Sequence, residues 1–256
     1  MRLMPKLIHP SAVVRNSFYG FADMDKAWNG MVDVAESLAF PGGVFAADNL
    51  IALGRNLGFL DDAKFVSAYQ RWTTTPQERA AIWRMATLLW GARQALRVEG
   101  DFVECGCYKG VSARILADVL DFAALDRRYF LYDLFEHDES MPHHSMVEHG
   151  ETLVDQVRAR FADVPNAIIT KGWVPQSLSE ASPDKIAFMH LDLNNAEAEV
   201  GALEVLFERI SPGGVLILDD FGWLAYRSQH TAEIRWMGER GYNILELPTG
   251  QGMVIK

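Results

Sequence analysis

Asp101-Phe-Val-Glu-Cys-Gly-Cys-Tyr-Lys-Gly-Val111 (DFVECGCYKGV) is the stretch on which the fold turns. It reads as a short strand over 102–104 that ends on an acid, then a turn with glycines at 106 and 110, then the start of a helix. A glycine turn between the first strand and first helix of an α/β sheet is where nucleotide-like cofactors lie. The spacing, Glu104-x-Gly106-x-x-x-Gly110, is not the G-x-G-x-x-G of dinucleotide sites. No lysine followed by serine or threonine closes it as a phosphate loop would require.

Downstream of this turn, strand and helix patterns alternate. Helix 112–120 follows with Ile115, Leu116, Val119 and Leu120 at helical spacing, then strand 129–132, helix 152–161 and strand 167–169. Strand 186–191, helix 196–210, a Ser211-Pro212-Gly213-Gly214 break, strand 215–218 and helix 228–238 complete the series. Segments 243–247 and 253–255 flank Thr249-Gly250-Gln251-Gly252 and read as a hairpin. Such alternation implies a mainly parallel sheet with right-handed crossovers. Upstream, Thr75-Pro76-Gln77-Glu78 is a helix start with the elements of a capping box. Ile82, Met85, Leu89, Ala92 and Leu96 then predict one helix ending near Gly100. The first 72 residues are less legible, with scattered aromatics, a Pro41-Gly42-Gly43 break and an expected helix over 48–57.

The 256 residues suffice for one large α/β domain and an appendage, divided as an N-terminal extension, 1–72, and a main domain, 73–256. No apolar run approaches the roughly 18 residues that span a bilayer. The N-terminus has no apolar core of a signal peptide. A net charge of −10 argues against a nucleic-acid partner. The two cysteines, Cys105 and Cys107, suit neither a disulfide framework nor a zinc site, which points to a reducing cytoplasm.

Ligands of an open α/β sheet gather at the carboxyl ends of its strands. Those ends carry Glu104, Asp133, Asp192, Asp219 and Asp220. So many acids on one edge repel unless something compensates them. Asp133 lies 133 − 106 = 27 residues beyond Gly106, where a carboxylate accepts hydrogen bonds from both hydroxyls of a ribose; capping the next turn is the alternative. Asp192, Asp219 and Asp220 suggest a divalent cation, because hard ions take carboxylate oxygen. The alternative is that Asp219 or Asp220 caps a turn and Asp192 meets a cofactor amine. Asn194 and Asn195 either add ligands or turn the chain. A general base near neutral pH is sought in Asp192 and in His144; His143, His149, His190 and His230 stay open as alternatives. Trp83, Trp90 and Trp236 read as core, whereas Trp173 and Trp223 follow strand ends and can pack on a flat ring.

The turn has the E-x-G-x-x-x-G form of S-adenosylmethionine sites. Together, GDFVECGCYKG, LYDLFE, KGWVPQSL, HLDLNNAEAEVGALEVLFERISPGGVLILDDFGW and LPTGQGMVIK resemble the TylF-type, or macrocin-type, family of S-adenosylmethionine-dependent O-methyltransferases, over 75–256. The resemblance implies a class I methyltransferase Rossmann-like fold, an α/β sheet of seven mainly parallel strands with a C-terminal antiparallel hairpin, here behind a helical N-terminal extension. It implies S-adenosylmethionine held by Glu104, Cys105, Gly106, Tyr108, Gly110, Asp133, Leu134, Gly172, Trp173 and Asp192, and magnesium held by Asp192, Asp219 and Asp220. It also implies a homo-oligomer acting on a hydroxyl of a small molecule, a sugar or natural product; a phenolic acceptor or a catalytically silent cofactor-binding subunit are the rivals. The chain departs from the family in Leu191-Asp192-Leu193-Asn194, where a second acid is usual, and in the loop DLFEHDESMPHH.

Overall fold

A computed structural model describes residues 9–39, 43–137, 141 and 145–256. The chain divides into two compact units, 1–86 and 87–256.

In the first unit, helix α1 (Met24–Glu36) starts at Asp23, whose side chain accepts the Lys26 N–H. It buries Trp28, Val32 and Ala35, spaced for one helical face, against Val44 and Ala46. The helix expected over 48–57 does not form. Strands β1 (Val44–Ala47) and β2 (Leu50–Leu53) pair as an antiparallel hairpin instead. Asp48 and Asn49, at φ 53° and 51°, form its two-residue turn. Positive φ at both central positions matches the twist of the strands, and Asn and Asp tolerate it. Helix α2 (Ala63–Trp72) follows. The Thr75 capping box is present: Thr75 accepts the Glu78 N–H at 3.2 Å and Glu78 accepts the Thr75 N–H at 3.0 Å. The single helix expected from there is two, α3 (Pro76–Ala80) and α4 (Ile82–Ala95), broken at Ala81, where ψ is 16°. The unit division lies inside α4.

The second unit holds a seven-stranded sheet. In chain order its elements are β3 (Asp101–Cys105), α5 (Val111–Leu120), β4 (Tyr129–Asp133), α6 (Leu153–Arg160), β5 (Ala167–Lys171), β6 (Ile186–Leu191), α7 (Ala196–Leu206), β7 (Ile210–Leu218), α8 (Arg227–Gly238), β8 (Leu245–Glu246) and β9 (Gly252–Ile255). The strand order is β5-β4-β3-β6-β7-β9-β8. The first five strands are parallel, and β9 pairs antiparallel with both β7 and β8. All six residues of β6 are buried, as a strand covered on both sides requires. The Ser-Pro-Gly-Gly segment does not end the chain's pairing. It forms a large bulge in β7: between the pairs Ile186–Ile210 and Phe188–Val215, β6 advances 188 − 186 = 2 residues and β7 advances 215 − 210 = 5. Trp236 is buried as expected, but Trp90 stands 46% exposed. Among the described residues, no helix is long and apolar enough to cross a membrane.

Candidate cofactor site

The parallel strands β3, β4, β5 and β6 end at one edge, and a cleft of about 170 Å³ opens there. The glycine turn forms its floor. Gly106 sits at φ 87°, and a Cβ added to it would lie 1.8 Å from the Asp192 carbonyl oxygen. Only glycine allows this approach. The Asp192 N–H donates to the Cys105 carbonyl at 2.9 Å, and the Gly106 N–H to that of Tyr132 at 2.8 Å. The turn is thereby fastened to both neighbouring strands. Tyr108 at φ 45° and Asn194 at φ 56° also line the cleft with left-handed backbone. Such conformations persist only where surrounding structure imposes them, and they cluster at ligand sites.

Asp133 ends β4 and faces the cleft. Its Oδ2 accepts the Tyr108 N–H at 2.7 Å and its Oδ1 accepts the Phe135 N–H at 2.6 Å. Turn capping is therefore part of what Asp133 does. A carboxylate oxygen can accept more than one hydrogen bond, so this bonding is compatible with a ligand hydroxyl. Of the residues expected from the sequence at a cofactor, Gly106, Tyr108, Asp133, Leu134, Gly172, Trp173 and Asp192 line this cleft. A second hollow, of about 490 Å³, shares Gly172, Trp173, Val174, Asn195 and Ala198 with it, so the space continues past Trp173.

Glu104, Cys105 and Gly110 do not line the cleft. Glu104 is 1% exposed; it accepts hydrogen bonds from the Ser112 and Tyr129 hydroxyls, the latter at 3.1 Å. Cys105 packs in the core with Leu191 and Leu203. Burial, with Glu104 adding, pushes its thiol well above the ordinary range. Cys107 is raised in the same way, by burial and then Asp133. Gly110 caps α5 at φ 67°. Trp223 packs on Gly250 away from the cleft, where a Cβ would meet its Nε1 at 2.5 Å. His144 lies outside the described residues.

The loop after β4 contributes residues that composition did not single out. Glu136, Met141 and Met146 line the cleft together with His149. The Tyr108 hydroxyl bonds to Glu148, and Lys109 Nζ reaches the same carboxylate at 3.0 Å. These bonds hold the Glu148 pKa below its usual range, the Tyr108 bond first, with burial opposing. The His149 ring meets Tyr108 edge-on at 5.0 Å and stacks on His137 at 6.0 Å. His149 Nδ1 accepts the Met146 N–H at 3.2 Å. The neutral ring then carries its proton on Nε2 and acts as a donor there rather than a base. No periodicity marks such loop residues, so the sequence alone does not single them out.

The acids are not grouped as the sequence suggested. His190 Nδ1 lies 3.4 Å from Glu104 Oε1, and its Nε2 lies 3.5 Å from Asp219 Oδ1. Gln251 Nε2 donates to the same Asp219 oxygen at 2.8 Å. Burial draws the His190 pKa down, but the bonds and charges of Asp219 and Glu104 outweigh it and raise the value well above 6.5. One donor atom each from His190, Asp192 and Asp219 lies within 4.8 Å of the others. Asp220 is not in this group.

The fold and this cleft define a class I S-adenosylmethionine-dependent methyltransferase fold. Two solved structures share it: the O-methyltransferase NovP, with TM-score 0.58, 19% identity and coverage of 70% of this chain and 81% of that one, and CalS11, a TDP-rhamnose 3'-O-methyltransferase of calicheamicin biosynthesis, with TM-score 0.56, 15% identity and coverage of 94% and 98%. The family model of macrocin O-methyltransferase (TylF) matches residues 83–238, more than half of the chain. The chain belongs to that family. A curated relative from Streptomyces olivaceus, an 8-demethyl-8-(2,3-dimethoxy-alpha-L-rhamnosyl)-tetracenomycin-C 4'-O-methyltransferase, is 32% identical over 143 residues. That match takes in 48% of this chain and about half, 54%, of the relative.

Proposed function

We propose that this chain transfers the methyl group of S-adenosylmethionine to a hydroxyl oxygen of a small natural-product acceptor, with a sugar hydroxyl as the first candidate. The observation that carries the reading is the Asp133 carboxylate and the Gly106 turn opening onto one cleft. The bare Gly106 backbone lets the methionine part approach. Asp133 binds the ribose hydroxyls, and Leu134, Gly172 and Trp173 border the adenine. Glu104, Cys105 and Gly110 support the turn from behind. The rhamnose-directed activities named for the tetracenomycin relative and for CalS11 support a sugar acceptor.

The acceptor oxygen attacks the methyl carbon as the carbon–sulfur bond breaks, and that electron pair stays on sulfur to give S-adenosylhomocysteine. The hydroxyl proton passes to the Asp192 carboxylate. The sulfonium is already activated, so alignment supplies most of the acceleration. Magnesium fits beside this cleft. Two of the three carboxylates expected for it, Asp192 and Asp219, approach one another. An ion that keeps several waters needs only one or two carboxylates. Asp192 and Asp219 would hold it, and it would supply Lewis acidity toward the acceptor oxygen. A homo-oligomer belongs to the same reading.

A phenolic acceptor is the second reading. It is favoured by Trp173, whose ring is 53% exposed where the two hollows meet and can stack on a flat ring. The test is calorimetric titration with S-adenosylmethionine, followed by mass spectrometry of reactions containing TDP-rhamnose or a catechol, with magnesium or with chelator. Cofactor binding together with a product heavier by the mass of one CH₂, a methyl group having replaced the hydroxyl hydrogen, supports transfer. Absence of cofactor binding overturns the proposal, and binding without product from any hydroxylated acceptor turns it toward a silent subunit.

A further inference from the structure

The segment that ends β6 and borders the cleft is held from behind by a pair of acids with no part in the proposed transfer. Glu199 on α7 and Glu233 on α8 are both fully buried, and the two helices pack together. Glu199 Oε1 accepts the Leu193 N–H at 3.0 Å. Leu193 and Asn194 line the cleft. Among the described residues, Glu199 Oε2 and both Glu233 oxygens have no hydrogen-bond donor. The other titratable groups that act on the pair are Asp220, in the turn after β7, and the buried Cys105 thiol at the end of β3. Neither is a cation. Gln229, one turn before Glu233 on α8, is buried with its own amide unpartnered.

Two ionised carboxylates buried together without a counter-ion repel strongly, so one of them keeps its proton. A proton between them turns one acceptor into a donor and satisfies both. We propose that Glu199 and Glu233 share one proton, and that this acid pair clamps the Leu193–Asn194 edge of the cleft. The charge environment agrees. Burial first, then the bond and charge of Glu233, hold Glu199 well above 4.5. Burial raises Glu233 to about 7, with Asp220 adding and the Glu199 bond opposing. Glu233 therefore ionises first and Glu199 keeps the shared proton; when that proton leaves as well, two negative charges face each other across the α7–α8 contact with Asp220 nearby, and the hold on Leu193 loosens. Only the effect on cofactor affinity rests on the function proposed above.

The test uses the full chain, the variants Glu233→Gln and Glu199→Gln, and readouts that need no cofactor. Infrared spectra of the wild type at pH 8, above the value of about 7 at which Glu233 ionises, still show the carbonyl stretch of one protonated carboxyl group, and Glu199→Gln removes that band. Hydrogen exchange at the Leu193 amide, corrected for the intrinsic rate, stays flat in the wild type while the band lasts and rises by up to about tenfold per pH unit as it fades, as loss of one proton requires. In Glu233→Gln, where no second carboxylate repels Glu199, that rise is missing. Should that variant not fold, Glu199→Gln and the wild-type titration carry the same readouts. S-adenosylhomocysteine affinity weakens with pH in parallel. Absence of the carboxyl band at pH 8, or an unchanged pH response in Glu233→Gln, overturns the proposal. A band and an exchange response without S-adenosylhomocysteine binding at any pH upholds the clamp and sinks the cofactor reading.

Discussion

Replacing Asp133 by asparagine separates ligand binding from folding. In the wild type each carboxylate oxygen accepts one backbone N–H, from Tyr108 at 2.7 Å and from Phe135 at 2.6 Å. The amide keeps the shape and one acceptor, but sets an NH₂ against the other N–H. An unpartnered donor costs about 1–3 kcal/mol. Asp133 is only partly buried, so water relieves it and the lower figure, about 1 kcal/mol, applies to stability. The ligand also loses hydrogen bonds to a charged acceptor, each contributing about 1.5–3 kcal/mol. At 1.4 kcal/mol per decade, losing one such bond weakens S-adenosylhomocysteine binding by about 10- to 150-fold. Calorimetry gives the affinity and urea denaturation gives the stability of the same preparation. A well-folded Asp133→Asn protein that binds within about twofold of the wild type refutes the assignment of Asp133 to the ribose, since the expected loss is at least tenfold.

Gly106→Ala places a Cβ 1.8 Å from the Asp192 carbonyl oxygen at φ 87°, so β3 and β6 must separate at their ends; cofactor binding is expected to disappear, and wild-type affinity would contradict the described turn. Both cysteines are buried with thiols held protonated, so native protein at pH 8 should resist alkylation that goes to completion in urea; rapid labelling of the folded chain would count against this burial. His190→Leu leaves Glu104 and Asp219 buried without their shared cation and should cost about 3 kcal/mol or more in urea denaturation at pH 6, a loss of under about 1 kcal/mol being incompatible with the arrangement. Because folding raises the His190 pKa above 6.5, this stabilisation is full below pH 6.5 and fades as pH rises through the folded value, so the wild-type advantage should shrink on the alkaline side.

The parallel sheet, its reversed last strand and the Gly106–Asp133 pairing were legible because each follows from local pattern: short apolar runs alternating with helices, a glycine turn and one strand–helix–strand step. What escaped depends on register and on which face a side chain takes. Asp219 and Asp220 are neighbours in sequence, yet both lie in the turn after β7, where strand alternation no longer sets which way a side chain faces. Asp219 continues toward His190 and Gln251, and Asp220 departs from that group. Along β3, where side chains do alternate, Glu104 meets His190, its partner across the β3–β6 ladder, and Cys105 enters the core. The β1–β2 hairpin was misread because Asp48 before an apolar run imitates a helix cap. Positive φ at Asp48 and Asn49 decides the matter, and composition does not reveal it.

The crowding of acids at the strand ends, which a sequence alone leaves as a puzzle, resolves into separate compensations. Glu104 and Asp219 flank the His190 ring, Asp133 takes two backbone N–H groups, and Glu136 bonds to Lys171. Asp192 faces the cleft, with the Asn194 amide 3.5 Å from its Oδ1. With magnesium withheld, the Asp192 carboxylate sets a negative charge beside the place where the reacting group would lie. S-adenosylmethionine and S-adenosylhomocysteine share the amino acid, ribose and adenine, and differ in the sulfonium charge. Salt screens that difference, the Debye length falling from roughly 14 Å to 4 Å between about 0.05 and 0.5 M. Over this range S-adenosylmethionine should lose affinity several-fold more than S-adenosylhomocysteine does, because only the former engages the field through its sulfur. Equal salt slopes for the two ligands would mean that the charge at Asp192 does not reach the sulfur, and the alignment proposed for methyl transfer would have to be abandoned.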